Sequence, residues 1–244
     1  MNEIILGDAY KLIKDVPDKS VDLIVTDPPY LIDGGFAKTG LFKDRNGGYA
    51  SELMEQEGTI IRGIDASILD EFVRVMKGIN IYLWCNKEQI YDYLTYFVKE
   101  RKCKFEIIIW AKANPSPFLN GHYLKDKEYC LFFWDDSVKV HPKYENGRTF
   151  YHTSVNMEDK RKYGHPTIKP ESIIESLVLN SSEPGGVVMD PFSGSGTICA
   201  VAKRLGRQYL GFEINPKWHQ VSIDRLAGVT QMEKESGSVQ GRLF

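Results

Sequence analysis

Val187-Val188-Met189-Asp190 is an apolar run that stops at an acid, and the residues after it constrain the fold more than any other feature. Pro191-Phe192-Ser193-Gly194-Ser195-Gly196-Thr197 comes next, and then an apolar helical stretch from Ile198 to Leu205. A buried strand, a glycine turn and a helix start form the nucleotide-binding corner of an α/β sheet. Gly194 and Gly196 let the backbone approach a ligand closely, and the helix start offers free N–H groups to a carboxylate or phosphate. A second strand, Gln208 to Phe212, ends in Glu213. An acid about 20 positions beyond such a turn is where a ribose hydroxyl pair is held. Gly-x-Gly-x-x-Gly is absent, which weighs against a nicotinamide site. A plain strand–helix turn is the simpler reading of the same residues.

The rest of the chain keeps that rhythm. Further strands are expected at Glu3–Leu6, Val21–Val25, Ile79–Cys85, Phe105–Trp110 and Tyr129–Trp134. Helices are expected at Ala9–Lys14, Asp65–Met76, Glu88–Glu100, Glu171–Leu179, Ile198–Leu205 and Pro216–Leu226. Asn215-Pro216 is a cap followed by a first-turn proline, a clear start signal. Alternating strands and helices predict a mostly parallel sheet covered on both faces. At 244 residues and 42% hydrophobic, the chain suits one such domain with a modest insertion. Its apolar runs are strand-sized, so no membrane span is expected, and no signal peptide opens it, which points to the cytoplasm. Cys85, Cys103, Cys130 and Cys199 show no paired metal spacing and read as buried thiols; the five histidines are scattered, so no metal site is expected.

Asp27-Pro28-Pro29-Tyr30 follows the apolar run Val21–Val25. Two successive prolines remove two backbone donors and fix φ twice, which makes the loop rigid. Carbonyls and the Asp27 carboxylate are then acceptors, with the Tyr30 ring beside them. That set suits a planar group carrying an exocyclic NH2, such as a nucleobase. A rigid turn closing a strand is the alternative.

These two stretches together resemble the amino-group DNA methyltransferases, which methylate N6 of adenine or N4 of cytosine. Asp-Pro-Pro-Tyr resembles their catalytic loop, and Asp-Pro-Phe-x-Gly-x-Gly-Thr their S-adenosylmethionine loop, with Ile198 where the family commonly has a second Thr. The catalytic loop comes first here, as in the permuted β group. His165-Pro166-Thr167-Ile168-Lys169-Pro170 resembles the family's His-Pro-Thr-Gln-Lys-Pro, departing at Ile168. Trp110-Ala111-Lys112-Ala113-Asn114-Pro115-Ser116-Pro117 resembles adenine-specific members. The resemblance implies a Rossmann-like methyltransferase fold with a mostly parallel seven-stranded sheet. It implies catalysis by Asp27, Pro28, Pro29 and Tyr30. It places the cofactor against Asp8, Ala9, Asp27, Lys169, Asp190, Pro191, Phe192, Ser193, Gly194, Ser195, Gly196, Thr197, Glu213 and Ile214, with Lys169 reaching the methionine carboxylate.

The implied reaction is direct transfer of the sulfonium methyl to N6 of a flipped-out adenine. Asp27 and the Pro28 carbonyl draw on the amino hydrogens while Tyr30 stacks on the base. N4-cytosine methylation uses the same geometry, but the leading Asp favours adenine. An RNA or protein-glutamine methyltransferase is disfavoured by the motif order, and a catalytically silent DNA-binding module by the intact Asp27 and Tyr30.

Three segments stand apart from the sheet pattern within an expected methyltransferase domain of residues 1–228. Residues 32–63 are polar and Gly-rich and read as a mobile lid or a disordered surface loop. Residues 135–164 fall where the family has its target-recognition region, and are short for it, so the enzyme reads few bases, also uses the first segment, or works as a homodimer. From Lys139 to Lys169 there are seven Lys or Arg against three Asp or Glu, a local +4 that leaves −6 on the rest of a chain of net charge −2. Lys160, Arg161 and Lys162 are the candidate DNA contacts, with a solvated basic loop as the alternative. Residues 229–244 form a polar tail in which Gln240, Leu243 and Phe244 resemble the peptide that docks on bacterial sliding clamps; a docked or disordered terminus is the other reading.

Overall fold

The computed structural model describes residues 1–30, 64–115, 117, 123–155, 157–165 and 167–230. The expected lid at 32–63 and nearly all of the tail, with Gln240, Leu243 and Phe244, lie outside the described residues.

Among the described residues, eight strands form one sheet: β1 Glu3–Leu6, β2 Leu23–Thr26, β3 Asn80–Cys85, β4 Lys104–Lys112, β5 Lys127–Trp134, β6 Phe150–Thr153, β7 Val187–Asp190 and β8 Gln208–Glu213, in the order β1-β8-β7-β2-β3-β5-β4-β6. Only β5 runs against the rest; it pairs antiparallel with β3 and β4, whereas every other ladder is parallel. The sheet therefore has one strand more than the seven expected. The extra strand is β6, a short edge strand rich in aromatic and β-branched residues, which extends β4 from inside the segment read as target recognition.

The period-2 alternation of the strands divides the core between two faces. Ile24, Ile81, Leu83, Leu131, Phe133, Met189, Leu210 and Phe212 pack on one face, under Ile68, Phe72 and Val75 of the helix Ser67–Val75 and under Tyr93 and Phe97. Leu23, Val25, Tyr82, Phe132 and Val188 pack on the other, under the helices Glu171–Ser181 and Thr197–Arg204. Buried on both faces, these strands read as near-continuous apolar runs. The helix expected over Glu88–Glu100 is α-helical only from Ile90 to Leu94 and widens to a π-helix over Thr95–Glu100. A helix that was not expected, Met157–Tyr163, lies in the basic segment. All four cysteines are free thiols and buried. Among the described residues no helix is long and apolar enough to cross a membrane.

The topology sets the site. From β7 the chain winds to β8, while β2 leads to β3 on the opposite side. The neighbours β2 and β7 thus flank the point where strand order reverses, and ligands of such sheets bind beyond the carboxyl ends of the strands there. Both motifs, 163 residues apart in sequence from Asp27 to Asp190, leave the sheet at that point.

Candidate active site

The glycine turn is built by backbone bonds to its neighbours. Ser193 N–H donates to the Phe212 carbonyl at 2.8 Å, and Ser193 Oγ donates to the Asp190 carbonyl at 3.0 Å. Gly194 (φ +50°) and Gly196 (φ +73°) take left-handed conformations that favour glycine. A Cβ at Gly196 would lie 2.7 Å from the Ser222 Cβ, and one at Gly194 would lie 3.2 Å from the His165 Nε2. A side chain at either position would thus run into the helix Pro216–Leu226 or His165.

Glu213 ends β8 beside this turn and is 9% exposed. Its Oε2 accepts the Gly194 N–H at 2.7 Å and its Oε1 accepts the Asn215 N–H at 2.8 Å. The carboxylate is therefore held in one orientation next to Gly194. Gly7 N–H donates to the Glu213 carbonyl at 2.8 Å, which brings Asp8 and Ala9 alongside. Asp8 caps the short helix Ala9–Leu12 through the Tyr10 N–H. Leu6 (46% exposed) and Ile214 (60% exposed) form an apolar lip at the same corner.

Asp190 joins the two motifs. It is 1% exposed, and its Oδ1 accepts the Thr26 Oγ1 hydroxyl at 2.8 Å and the Phe192 N–H at 3.2 Å. Burial pushes its carboxyl up to about 7, against the pull of those two donors. Thr197 and Ser195 face Arg225, whose side chain is 1% exposed. Its Nη1 donates to Thr197 Oγ1 at 2.7 Å and its Nη2 to Glu171 Oε1 at 2.6 Å, while the guanidinium lies 4.1 Å over the Tyr163 ring. His165 stacks edge-on against Trp218 with centroids 4.4 Å apart; burial, then the cations Lys169, Arg225, Lys160 and Lys217, push its imidazole down to about 3, so it is neutral.

At the end of β2 stand Asp27 and Tyr30. Asp27 Oδ2 is ion-paired with Lys169, which also pairs with Glu128 Oε2 at 3.0 Å. Glu128 Oε1 pairs with Lys112 at 2.6 Å, and the Tyr30 hydroxyl reaches Glu128 Oε2 at 3.3 Å, a long bond. The Lys169 ammonium lies 5.4 Å over the Tyr30 ring and 5.1 Å over Trp84. Asp27 Oδ1 is buried and has no hydrogen-bond partner of ordinary geometry among the described residues. Burial raises the Asp27 carboxyl; Lys169 opposes this, the Glu128 charge adds to it, and a bond from the Tyr30 hydroxyl lowers it again. Burial also acts on Glu128, but Lys169 and Lys112 outweigh it and hold that carboxyl down at about 2. Glu128 therefore stays ionised while Asp27 is the more basic of the two. Lys169 sits here, against the acids at the ends of β2 and β5, rather than at the glycine turn. Pro28 is buried, and the Pro29 carbonyl accepts a long bond of 3.4 Å from Gln89 Nε2.

Glu128, Lys112 and Arg225 are the site residues that sequence reasoning misses. Because β5 is antiparallel, its first residues lie at the carboxyl ends of β3 and β4: Tyr129 pairs with Cys85 and Glu128 with Trp110. The three candidate DNA contacts split. Arg161 is exposed, Lys162 lies 5.3 Å over the Tyr163 ring, and Lys160 is half-buried, with burial first and then Lys112 and Lys169 lowering its ammonium. Among the described residues no group of His, Cys, Asp and Glu is arranged to hold a metal.

A mostly parallel sheet with this switch point and these two loops defines a Rossmann-like methyltransferase fold. M1.HpyAVI, solved as a complex with SAM, shares it, with a TM-score of 0.67 at 24% identity over 93% of this chain and 100% of that one. Residues 21–224 match the DNA methylase family of N6 and N4 methyltransferases, and the chain belongs to that family. The type II methyltransferase M.HinfI of Haemophilus influenzae is 30% identical over 251 residues, covering 93% of this chain and 68% of that protein. M.BglII of Bacillus subtilis is 27% identical over 265 residues, covering 93% and 69%. The chain is thus a DNA methyltransferase of the amino-group type, as the sequence resemblance implies.

Proposed function

We propose that this enzyme methylates N6 of an adenine flipped out of DNA, using S-adenosylmethionine. The observation that carries the reading is Asp27 Oδ1. It is a buried carboxylate oxygen with no hydrogen-bond partner of ordinary geometry among the described residues, in the same loop as Tyr30, whose hydroxyl is its near neighbour, and across the switch point from the glycine turn. Leaving a buried charged acceptor unpaired is costly. A donor such as an exocyclic amino group removes that cost.

The fit of the cofactor rests on Glu213. Its fixed pair of oxygens at a strand end suits a ribose diol, and the lip of Leu6 and Ile214 suits an apolar ring face. Asp8, Ala9, Asp190 to Thr197 and Ile214 enclose this corner, and Lys169 supplies a cation between it and Asp27. When bound, S-adenosylmethionine supplies an electrophilic methyl group. The chain does the rest. Asp27 Oδ1 accepts one hydrogen of the target amino group, which turns the nitrogen lone pair out of the ring plane. Burial makes this carboxylate a better acceptor than an exposed one, and it takes the proton that N6 must lose. Tyr30 stacks on the extruded base in place of its lost neighbours. Arg161 and Lys162, with Lys160, serve the DNA backbone. Residues 1–228 act as one catalytic unit. The reading extends to residues 32–63 as a lid and to Gln240, Leu243 and Phe244 as a sliding-clamp peptide, which a pull-down with purified clamp tests. It also extends to a cytoplasmic enzyme that pairs as a homodimer when reading longer sites.

Asp27→Ala tests the assignment. Its single-turnover methyl transfer falls on the order of 10²–10³-fold or more, while calorimetry shows cofactor binding largely intact. Turnover at the wild-type rate overturns the role given to Asp27.

A further inference from the structure

Two ammoniums, Lys112 and Lys169, and the Tyr30 hydroxyl meet at Glu128, and methyl transfer as derived so far gives Glu128 itself no role. We infer that Glu128 is a positioning residue for methyl transfer, holding Lys169 and Tyr30 on one carboxylate oxygen and so keeping Asp27 available to the target amino group. The inference rests on the reading of Asp27 as the acceptor for that group.

The geometry is specific. Lys169 Nζ and the Tyr30 hydroxyl converge on Glu128 Oε2, at 3.0 and 3.3 Å, while Lys112 occupies Oε1 at 2.6 Å. Lys169 is 6% exposed in its side chain and is shared between Glu128 and Asp27 Oδ2. Were Glu128 uncharged, the buried ammonium would have Asp27 as its one close carboxylate and would bind it more tightly. A carboxylate fully engaged by an ammonium is a poor acceptor for a neutral amine. Glu128 therefore competes for Lys169, and Lys112 limits how strongly it does so. The tether on the Tyr30 hydroxyl fixes the ring that stacks on the base. The four charges Asp27, Glu128, Lys112 and Lys169 sum to zero, so the cluster is stable with the ammonium at either acid.

Other titratable groups surround this cluster. Cys85 of β3 and Cys130 of β5 are thiols raised by burial and stay neutral. Glu128 acts on Asp27 through space, the Tyr30 hydroxyl bonds toward it and lowers it, and Asp27 in turn raises Asp190 of β7 through space. Lys160 of the helix Met157–Tyr163 faces Lys112, Glu128 and Lys169. Removing the Glu128 charge thus takes away one like charge from Asp27 and releases Lys169 to it, and both effects lower the Asp27 carboxyl. Removing Lys112 does the reverse: Glu128 draws harder on Lys169, and Asp27 rises.

The test is a carbon-13 titration of the Asp27 carboxyl in the whole protein without cofactor, assigned with Asp27→Ala, for wild type, Glu128→Gln and Lys112→Met. Glu128→Gln moves the Asp27 midpoint down by about one pH unit, and Lys112→Met moves it up. The acidic limb of the single-turnover rate moves the same way in each variant. The plateau of Glu128→Gln falls on the order of 10-fold through lost positioning, with cofactor affinity unchanged. Should Glu128→Gln not fold, Lys112→Met carries the test alone. Midpoints at the wild-type value, or both variants moving in one direction, overturn the inference. If Asp27→Ala instead retains turnover, it is the reading of Asp27 that fails.

Discussion

Replacing Glu213 with Ala removes a carboxylate that touches both the glycine turn and the start of the helix Pro216–Leu226. Two bonds go at once, from the Gly194 N–H at 2.7 Å and the Asn215 N–H at 2.8 Å. A hydrogen bond to a charged group contributes roughly 1.5–3 kcal/mol net. A carboxylate oxygen accepts more than one bond, so the same two oxygens also serve a pair of ribose hydroxyls. Losing one such bond raises Kd about 10- to 100-fold, and losing both takes Glu213→Ala to about 100-fold or more. Glu213→Gln keeps a single carbonyl oxygen and turns an NH2 toward one of the two N–H donors, so it falls between wild type and Ala. Titration calorimetry with S-adenosylmethionine measures this, and a thermal melt of each variant separates lost binding from lost folding. A Glu213→Ala protein that melts like wild type and binds within about twofold of it refutes the assignment of Glu213.

Two further outcomes are expected. Asp190 titrates near 7 when folded and near 3.9 in an unfolded chain, so its contribution to stability is fully present below about pH 4 and is lost as pH rises through 7. Asp190→Asn keeps an oxygen for Thr26 and Phe192, abolishes that dependence and melts higher than wild type above pH 7, by as much as ~4 kcal/mol for a shift of this size; an unchanged pH profile contradicts it. Glu128 works in the other sense, its stabilisation being present in the ordinary carboxylate range and lost as pH falls through about 2, so the two windows meet at about pH 4. Arg161→Ala weakens DNA binding at low salt and reduces the slope of log K against log salt by about 0.9 for each phosphate it no longer neutralises; an unchanged slope makes Arg161 a solvated side chain.

Much of the fold can be read from the chain because its signals are local. Glu3–Leu6 and the helix Pro216–Leu226 match expectation to the residue, the first as an isolated strand-sized apolar run, the second through its Asn-Pro start. Asp27 to Tyr30 and Asp190 to Thr197 are legible because each follows an apolar strand and carries its turn chemistry with it. The hidden parts depend on register and direction. Glu128 stands at the beginning of its strand, which in a parallel sheet is the end away from the ligand; only the antiparallel insertion of β5 brings it to the site. Lys112 meets it because Trp110 pairs with Glu128 across the ladder, and pairing between strands leaves no mark in a single sequence. Strand β6 is only four residues long within a polar, basic segment, and the helix Met157–Tyr163 is short and charged, so both pass for loop. Arg225 is invisible for another reason: an arginine on a surface-helix pattern is normally solvated, and here it closes under the glycine turn.

The central claim is the acceptor atom and the base it serves. Incubating the enzyme with deuteromethyl S-adenosylmethionine and mixed-sequence DNA, then digesting to nucleosides for mass spectrometry, tests it most directly. The account predicts label in N6-methyldeoxyadenosine, and about 100-fold less or lower there with Asp27→Ala over the same time. Label in N4-methyldeoxycytidine, or an Asp27→Ala protein that labels as wild type, contradicts it.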